Sequence, residues 1–147
     1  MNKKWFLIFI PILFLLASCE DNKNKIDLTG SEHNISVRNN ISLSPDYATI
    51  DDDGNLLVNI NWKHGSNEDS MKEMSFLQTG ILFFPQQNGK DLEWDISSSQ
   101  NLNREIYEAS EGQIEVKFIL NDVNSDVNIS MTQKGESISD KLTINLN

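Results

Sequence analysis

One cysteine, Cys19, occurs in 147 residues, so no disulfide can form within the chain and the fold must be held by packing alone. Histidines number two, His33 and His64, and no H-E-x-x-H or Cys/His cluster is present to hold zinc. G-x-S-x-G is missing, as is any histidine set beside an acid in a recognisable motif, which removes the usual nucleophile and general-base arrangements and predicts a protein that is not an enzyme. Basic residues are scarce, 12 against 22 acidic ones. Such a surface repels phosphate backbones and anionic headgroups, so no nucleic-acid partner is expected. Nor do strands and helices alternate as a nucleotide-binding βαβ fold requires.

Only one long apolar run exists. After Met1-Asn2-Lys3-Lys4, a short positive patch, it extends from Trp5 to Leu16 without a charge and with Pro11 inside it. Its 12 residues fall short of the roughly 20 that cross a bilayer as a helix, and the arrangement is that of a secretory signal. The run ends in Leu16-Ala17-Ser18-Cys19, which resembles the lipobox of bacterial lipoproteins. The resemblance covers about the first 20 residues. It implies that the Cys19 thiol receives a diacylglyceryl group, that a type II signal peptidase cuts between Ser18 and Cys19, and that the new amino terminus is acylated. Two or three acyl chains, each stabilised by about 0.8 kcal/mol per buried methylene, make a durable anchor where one would be marginal. The following Glu20-Asp21-Asn22-Lys23-Asn24-Lys25 is similar to the acidic stretch behind the lipidated cysteine in surface-exported lipoproteins of the Bacteroidota, and reads equally as an ordinary polar tether. The expected location is the outer membrane or cell surface.

Three segments result: a signal peptide over 1–18, the lipidated cysteine and a flexible tether over 19–34, and one domain over 35–147. Without the signal the chain has 129 residues and a net charge near −12, from 10 basic and 22 acidic side chains. That length suits one domain with a true core.

Within the domain, period-two alternation dominates. Leu56, Val58, Ile60 and Trp62 share one side of "LLVNINWK", and Ile114, Val116, Phe118 and Leu120 one side of "GQIEVKFILND". Val127, Ile129 and Met131, and then Leu142, Ile144 and Leu146, repeat the pattern. "NISVRNNISLS" and "LEWDIS" read as weaker strands, while "FFPQQNGKDLEW" reads as a hairpin turning at Asn88-Gly89. About seven or eight short strands punctuated by "DDDGN", "NDVNSD" and "KGE" predict an all-β fold, an antiparallel β-sandwich of the immunoglobulin or fibronectin-like kind. One short helix is possible over 66–77, where Ser70 and Glu73 could form a capping box ahead of Met74 and Leu77; the same residues also read as a loop running into "TGILFF".

Four features carry candidate chemistry. Asp51, Asp52 and Asp53, with Gly54 and Asn55, invite a calcium reading. An EF-hand register fails there, because Gly54 as the loop glycine puts Thr49 first and Ile60 where the closing glutamate belongs, so a solvated turn is the favoured alternative. Trp62, Trp94, Tyr47, Tyr107 and the pair Phe83-Phe84 could line a carbohydrate-binding surface, although Trp62 and Trp94 each share a side with apolar neighbours and read as core. In "ILFF" adjacent apolar residues must point to opposite faces, so either both faces are covered or an apolar patch is exposed, and Phe83-Phe84 is the candidate partner surface. Asp69-Ser70-Met71 resembles the O-glycosylation sequon of some Bacteroidota, with Ser70 the acceptor. The leading expectation is a lipid-anchored accessory lipoprotein that binds a protein or glycan; the alternatives are an envelope-anchored immunity or inhibitor protein masking a basic toxin or enzyme, and a calcium-stabilised adhesin module.

Overall fold

The computed structural model describes residues 25–30, 33–38, 40–65 and 73–146, and over them the alternating segments become strands. In chain order these are β1 (Ile26–Asp27), β2 (Ile35–Ser36), β3 (Ser42–Ile50), β4 (Leu56–Lys63), β5 (Glu73–Ser75), β6 (Ile81–Gln87), β7 (Lys90–Asp91), β8 (Glu93–Trp94), β9 (Glu105–Tyr107), β10 (Glu111–Ile119), β11 (Val127–Gln133), β12 (Glu136–Ser137) and β13 (Leu142–Ile144). Every pairing is antiparallel. One sheet runs β1-β3-β4-β10-β8, with β2 also on β3; the second runs β12-β11-β6-β7, with β13 also on β11; β5 and β9 form a small separate ribbon. The molecule is an all-β sandwich, and the order β3-β4-β10-β8 against β13-β11-β6-β7 is the A-B-E-D and G-F-C-C′ order of immunoglobulin sandwiches.

Sequence alternation explains which side chains meet between the sheets. Leu56, Val58, Ile60 and Trp62 from β4 and Ile114, Val116 and Phe118 from β10 are buried on one side. Ile81 and Phe83 from β6 and Val127, Ile129 and Met131 from β11 are buried on the other. Aromatic rings knit the two layers: Phe83 lies edge-on to Phe118 at 6.2 Å and stacks on Phe76 at 5.8 Å, and Phe76 meets Trp62 edge-on at 5.8 Å. Trp62 is 2% exposed, as its place beside Leu56 and Ile60 predicts.

Opposite Trp62 on β10 stands Gly112. A Cβ there would lie 2.8 Å from the Trp62 indole nitrogen and 3.0 Å from Ile106, so the glycine makes room for the largest core side chain. Gly112→Val is expected to lower stability by about 1–3 kcal/mol through overpacking, read as a lower urea midpoint at unchanged slope. An unchanged midpoint would mean that the indole can move aside.

Turn chemistry follows the residues. Asn88 and Gly89 take φ of 52° and 74°, the left-handed pair that closes the β6–β7 hairpin. "NISVRNNISLS" folds back on itself: β2 pairs with the start of β3, Asn40 adopts φ 57°, and the Val37 N–H donates to the Ile41 carbonyl. Pro45 coincides with a shift in the β3–β4 register, the kind of irregularity where a residue without an N–H is tolerated in a strand.

In the stretch read as a possible helix, residues 66–72 lie outside the described part, and Glu73 begins strand β5 instead of capping a helix. A 3-10 turn at Leu77–Thr79 follows, closed by Gly80 at φ 72°. Strand pairing with β9 and full burial of Phe76 outweigh the local helical pattern. In the span read as tether, Ile26 and Asp27 pair with Ala48 and Tyr47, and Leu28 is buried.

One end of the sandwich gathers the β3–β4 turn, the β6–β7 turn and the loop over 120–126. Gly54 approaches Val123 there, and the Asn88 amide donates to Asp122 and Ser125. The opposite end carries the turn at Lys134–Gly135, whose Lys134 N–H donates to the Gly80 carbonyl, and the pairing of Arg38 with Glu136.

Candidate functional site

Cys19, Ser18 and Ser70 lie outside the described residues. Among the described residues, no helix is long and apolar enough to cross a membrane.

The Asp51–Asn55 segment is a turn built around one carboxylate. Oδ1 of Asp51 accepts the N–H groups of Asp53 and Asn55, and the Asn55 amide donates to both carboxylate oxygens. Lys117 from β10 closes the arrangement with its ammonium 3.0 Å from Oδ2. Burial works against the charge on Asp51, but the Asn55 backbone N–H, the Lys117 ammonium and the Asn55 amide outweigh it and hold its carboxyl at about 2, below the ordinary 3.8. Asp51 in turn raises the Lys117 ammonium above its usual range. Nearby Asp95 is held at about 2 by the Ser97 hydroxyl and by Ser98. Among the described residues, no group of three or more His, Cys, Asp or Glu side chains is placed to hold a metal.

These contacts fix an expected response to acid and to calcium. A carboxylate with a lowered folded-state pKa stabilises the fold above its unfolded value and loses that contribution as pH falls through the folded one. The melting temperature should therefore decline between about pH 4 and pH 2, and Asp51→Asn should show a shallower decline from a lower starting point. At neutral pH, calcium in place of a chelator should leave the wild-type melting temperature unchanged, because the Asp51 oxygens are already engaged. A rise with calcium would show that the turn binds the ion.

His64 is buried where β4 ends, its backbone bonded to Ser110 and Ala109, while His33 is half-buried just before β2. Trp94 is half-buried, edge-on to Phe83 at 5.1 Å, with its indole N–H donated to the Ser99 hydroxyl. Tyr47 is half-buried beneath the Lys25 ammonium, 3.6 Å from its ring centre. Tyr107 is well exposed on β9. The aromatic residues are thus dispersed.

The adjacent phenylalanines divide as strand geometry requires. Phe83 points inward at 5% exposure, whereas Phe84 points outward at 47%, with Leu82 beside it at 45%. Alternation along β6 places Leu82, Phe84 and Gln86 on one outer face, and register sets them opposite Thr132, Ser130 and Asn128 of β11. Further out, Thr143 of β13 lies across from Asn128 and donates its hydroxyl to it, and Asp91 of β7 lies across from Gln86 and accepts from its amide. A depression of about 420 Å³ runs beside Phe84, between Gln86, Asp91 and Leu92 on one side and Ser130 and Thr132 on the other. Sequence reasoning singled out the phenylalanine pair but missed Leu82 and the polar row; the period-two spacing of "ILFFPQQ" and of Asn128, Ser130 and Thr132 was the signal that joins them.

The outer face of the other sheet differs in chemistry. It carries Lys63 near Glu111, Lys117 on Asp51, and Glu115 accepting from Asn59 and Gln100. By contrast, none of the outward residues of β6 and β11, Leu82, Phe84, Gln86, Asn128, Ser130 and Thr132, carries a charge. Comparison of the chain with protein-family models, with curated proteins and with solved structures finds no match.

Proposed function

We propose that this chain is a lipid-anchored envelope or cell-surface lipoprotein that binds a partner and has no catalytic activity. The observation that carries the reading is the sequence Leu16-Ala17-Ser18-Cys19 at the end of the only long apolar run, ahead of a sandwich that has its first strand at Ile26. An acylated Cys19 would leave the domain on a leash of a few residues, with its sheet faces available to a partner on the same side of the membrane.

Feeding cells an alkyne-tagged fatty acid and fractionating them tests the anchor directly. The wild-type protein should take up label and sediment with membranes, and Cys19→Ala should do neither. A Cys19→Ala protein that still sediments with membranes would sink the proposal. Protease shaving of intact cells then separates an external domain, which is cleaved while a periplasmic marker survives, from one that faces the periplasm.

A second reading, an immunity or inhibitor protein that masks a basic toxin or enzyme, draws support from the turn end of the sandwich, where Asp51, Asp52 and Asp53 lie on the turn that touches the loop holding Asp122. Like charge on that end would steer a cationic partner. An envelope pulldown that recovers a basic protein at low salt and loses it at about 0.5 M salt favours this reading over the first.

A further inference from the structure

We infer that the outer face of β6 and β11 is a platform for a neutral glycan chain, a deeper statement that rests on the binding-lipoprotein reading above. Two observations choose this occupant. The first is charge. In a chain of net charge −10, this face presents Leu82, Phe84, Gln86, Asn128, Ser130 and Thr132, none of them ionisable. At its margin, Asp91 is engaged by the Gln86 amide at 2.7 Å. A cationic or anionic partner gains nothing there, whereas uncharged hydroxyls can both donate to and accept from amide and hydroxyl side chains.

The second observation is size. With strands about 4.8 Å apart and outward residues about 6.8 Å apart along each strand, the three outward positions on each of β6 and β11 and the single ones on β7 and β13 cover roughly 260 Å². That is about a third of the roughly 800 Å² per partner found in stable protein interfaces. It is too little to hold a second copy of an acidic chain, and it is ample for two or three sugar rings. Phe84 supplies the half-exposed aromatic face on which the C–H side of a pyranose rests, and Leu82 extends that apolar strip. The 420 Å³ depression beside Phe84 gives a ring a place to lie against the strand. Gln86 and Asn128 are held by Asp91 and Thr143, so part of the ordering cost of binding is already met in the unliganded protein.

The test is affinity electrophoresis of the full-length protein in mild detergent, through native gels containing dextran, mannan, laminarin or galactomannan, with heparin and polygalacturonate as charged polymers. Retardation by at least one neutral polymer is expected, about tenfold weaker in Phe84→Ala and unchanged in Tyr107→Ala, which removes an exposed aromatic elsewhere. Three results would overturn the inference: no retardation by any neutral polymer, retardation that survives Phe84→Ala, or a polymer-independent dimer that Phe84→Ala abolishes. Blank gels together with a protein recovered from an envelope pulldown would remove the glycan platform and leave the binding-lipoprotein reading standing. Membrane retention of Cys19→Ala would remove the anchor whatever the gels show.

Discussion

Phe83→Ala is expected to lower stability by about 3–5 kcal/mol, and Phe84→Ala, one residue along, by less than about 0.5 kcal/mol. The contrast follows from the direction each side chain takes. Phe83 meets three other rings, Phe76, Trp94 and Phe118, at centroid distances of 5.8, 5.1 and 6.2 Å, and these come from different parts of the sandwich. Truncation removes the buried ring and leaves a cavity that four strands cannot close around, because their backbones are fixed by pairing. The loss corresponds to a fall in melting temperature of roughly 12–20 °C for a domain of this size. Phe84, about half exposed, has no comparable shell. Urea denaturation of both variants checks the assignment, and equal destabilisation would place both rings in the core and remove the outer apolar strip.

How legible this arrangement was depends on the range of the interaction that creates it. In β4, β10 and β11 each residue's side is fixed by its own parity, so "LLVNINWK" or "GQIEVKFI" announces both the strand and its buried face. The Asn88-Gly89 turn was equally readable, because positive φ at two successive residues selects those side chains. Glu73–Ser75 shows where local pattern stops. Its spacing suits a capping box, but the segment is held by pairing with β9, 30 to 34 residues away, and by insertion of Phe76 among Trp62 and Phe83. Neither partner is visible in a local window. Asn39-Asn40 carried a turn signal inside "NISVRNNISLS", yet the apolar alternation on both sides of it reads as one continuous strand. As for the candidate site, Phe84 was legible as an anomaly of alternation, and its neighbours were not, because cross-strand register depends on pairing that no single strand encodes.

The largest effect from a polar residue is expected at Gln87, which alternation places inward at the end of β6 although its side chain is an amide. Gln87 is 1% exposed. Its amide nitrogen donates to the carbonyls of Asp122 and Ser125 at 2.8 and 2.7 Å, and its amide oxygen accepts the N–H groups of Asn121 and Asp122 at 3.0 and 3.1 Å. One side chain thus satisfies four backbone groups of the loop that joins β10 to β11, which has no strand partner there. Asp122 tightens the same loop by accepting from Asn124 and Ser125, and the Asn124 N–H is the leading cause of its lowered pKa. Gln87→Leu keeps the volume and removes all four bonds. Each buried backbone group left without a partner costs about 1–3 kcal/mol, less where the loop can open to water. Partial opening limits the expected total to about 3–4 kcal/mol. Gln87→Glu distinguishes bonding from packing, since a carboxylate keeps the acceptor and loses the donor. It should be destabilised at neutral pH and recover partly under mild acid, where the protonated carboxyl can again donate to a loop carbonyl. Amide hydrogen exchange should quicken first at Asn121 and Asp122, ahead of the strands. If exchange at those two amides is unchanged in Gln87→Leu, the loop is held by something other than this side chain.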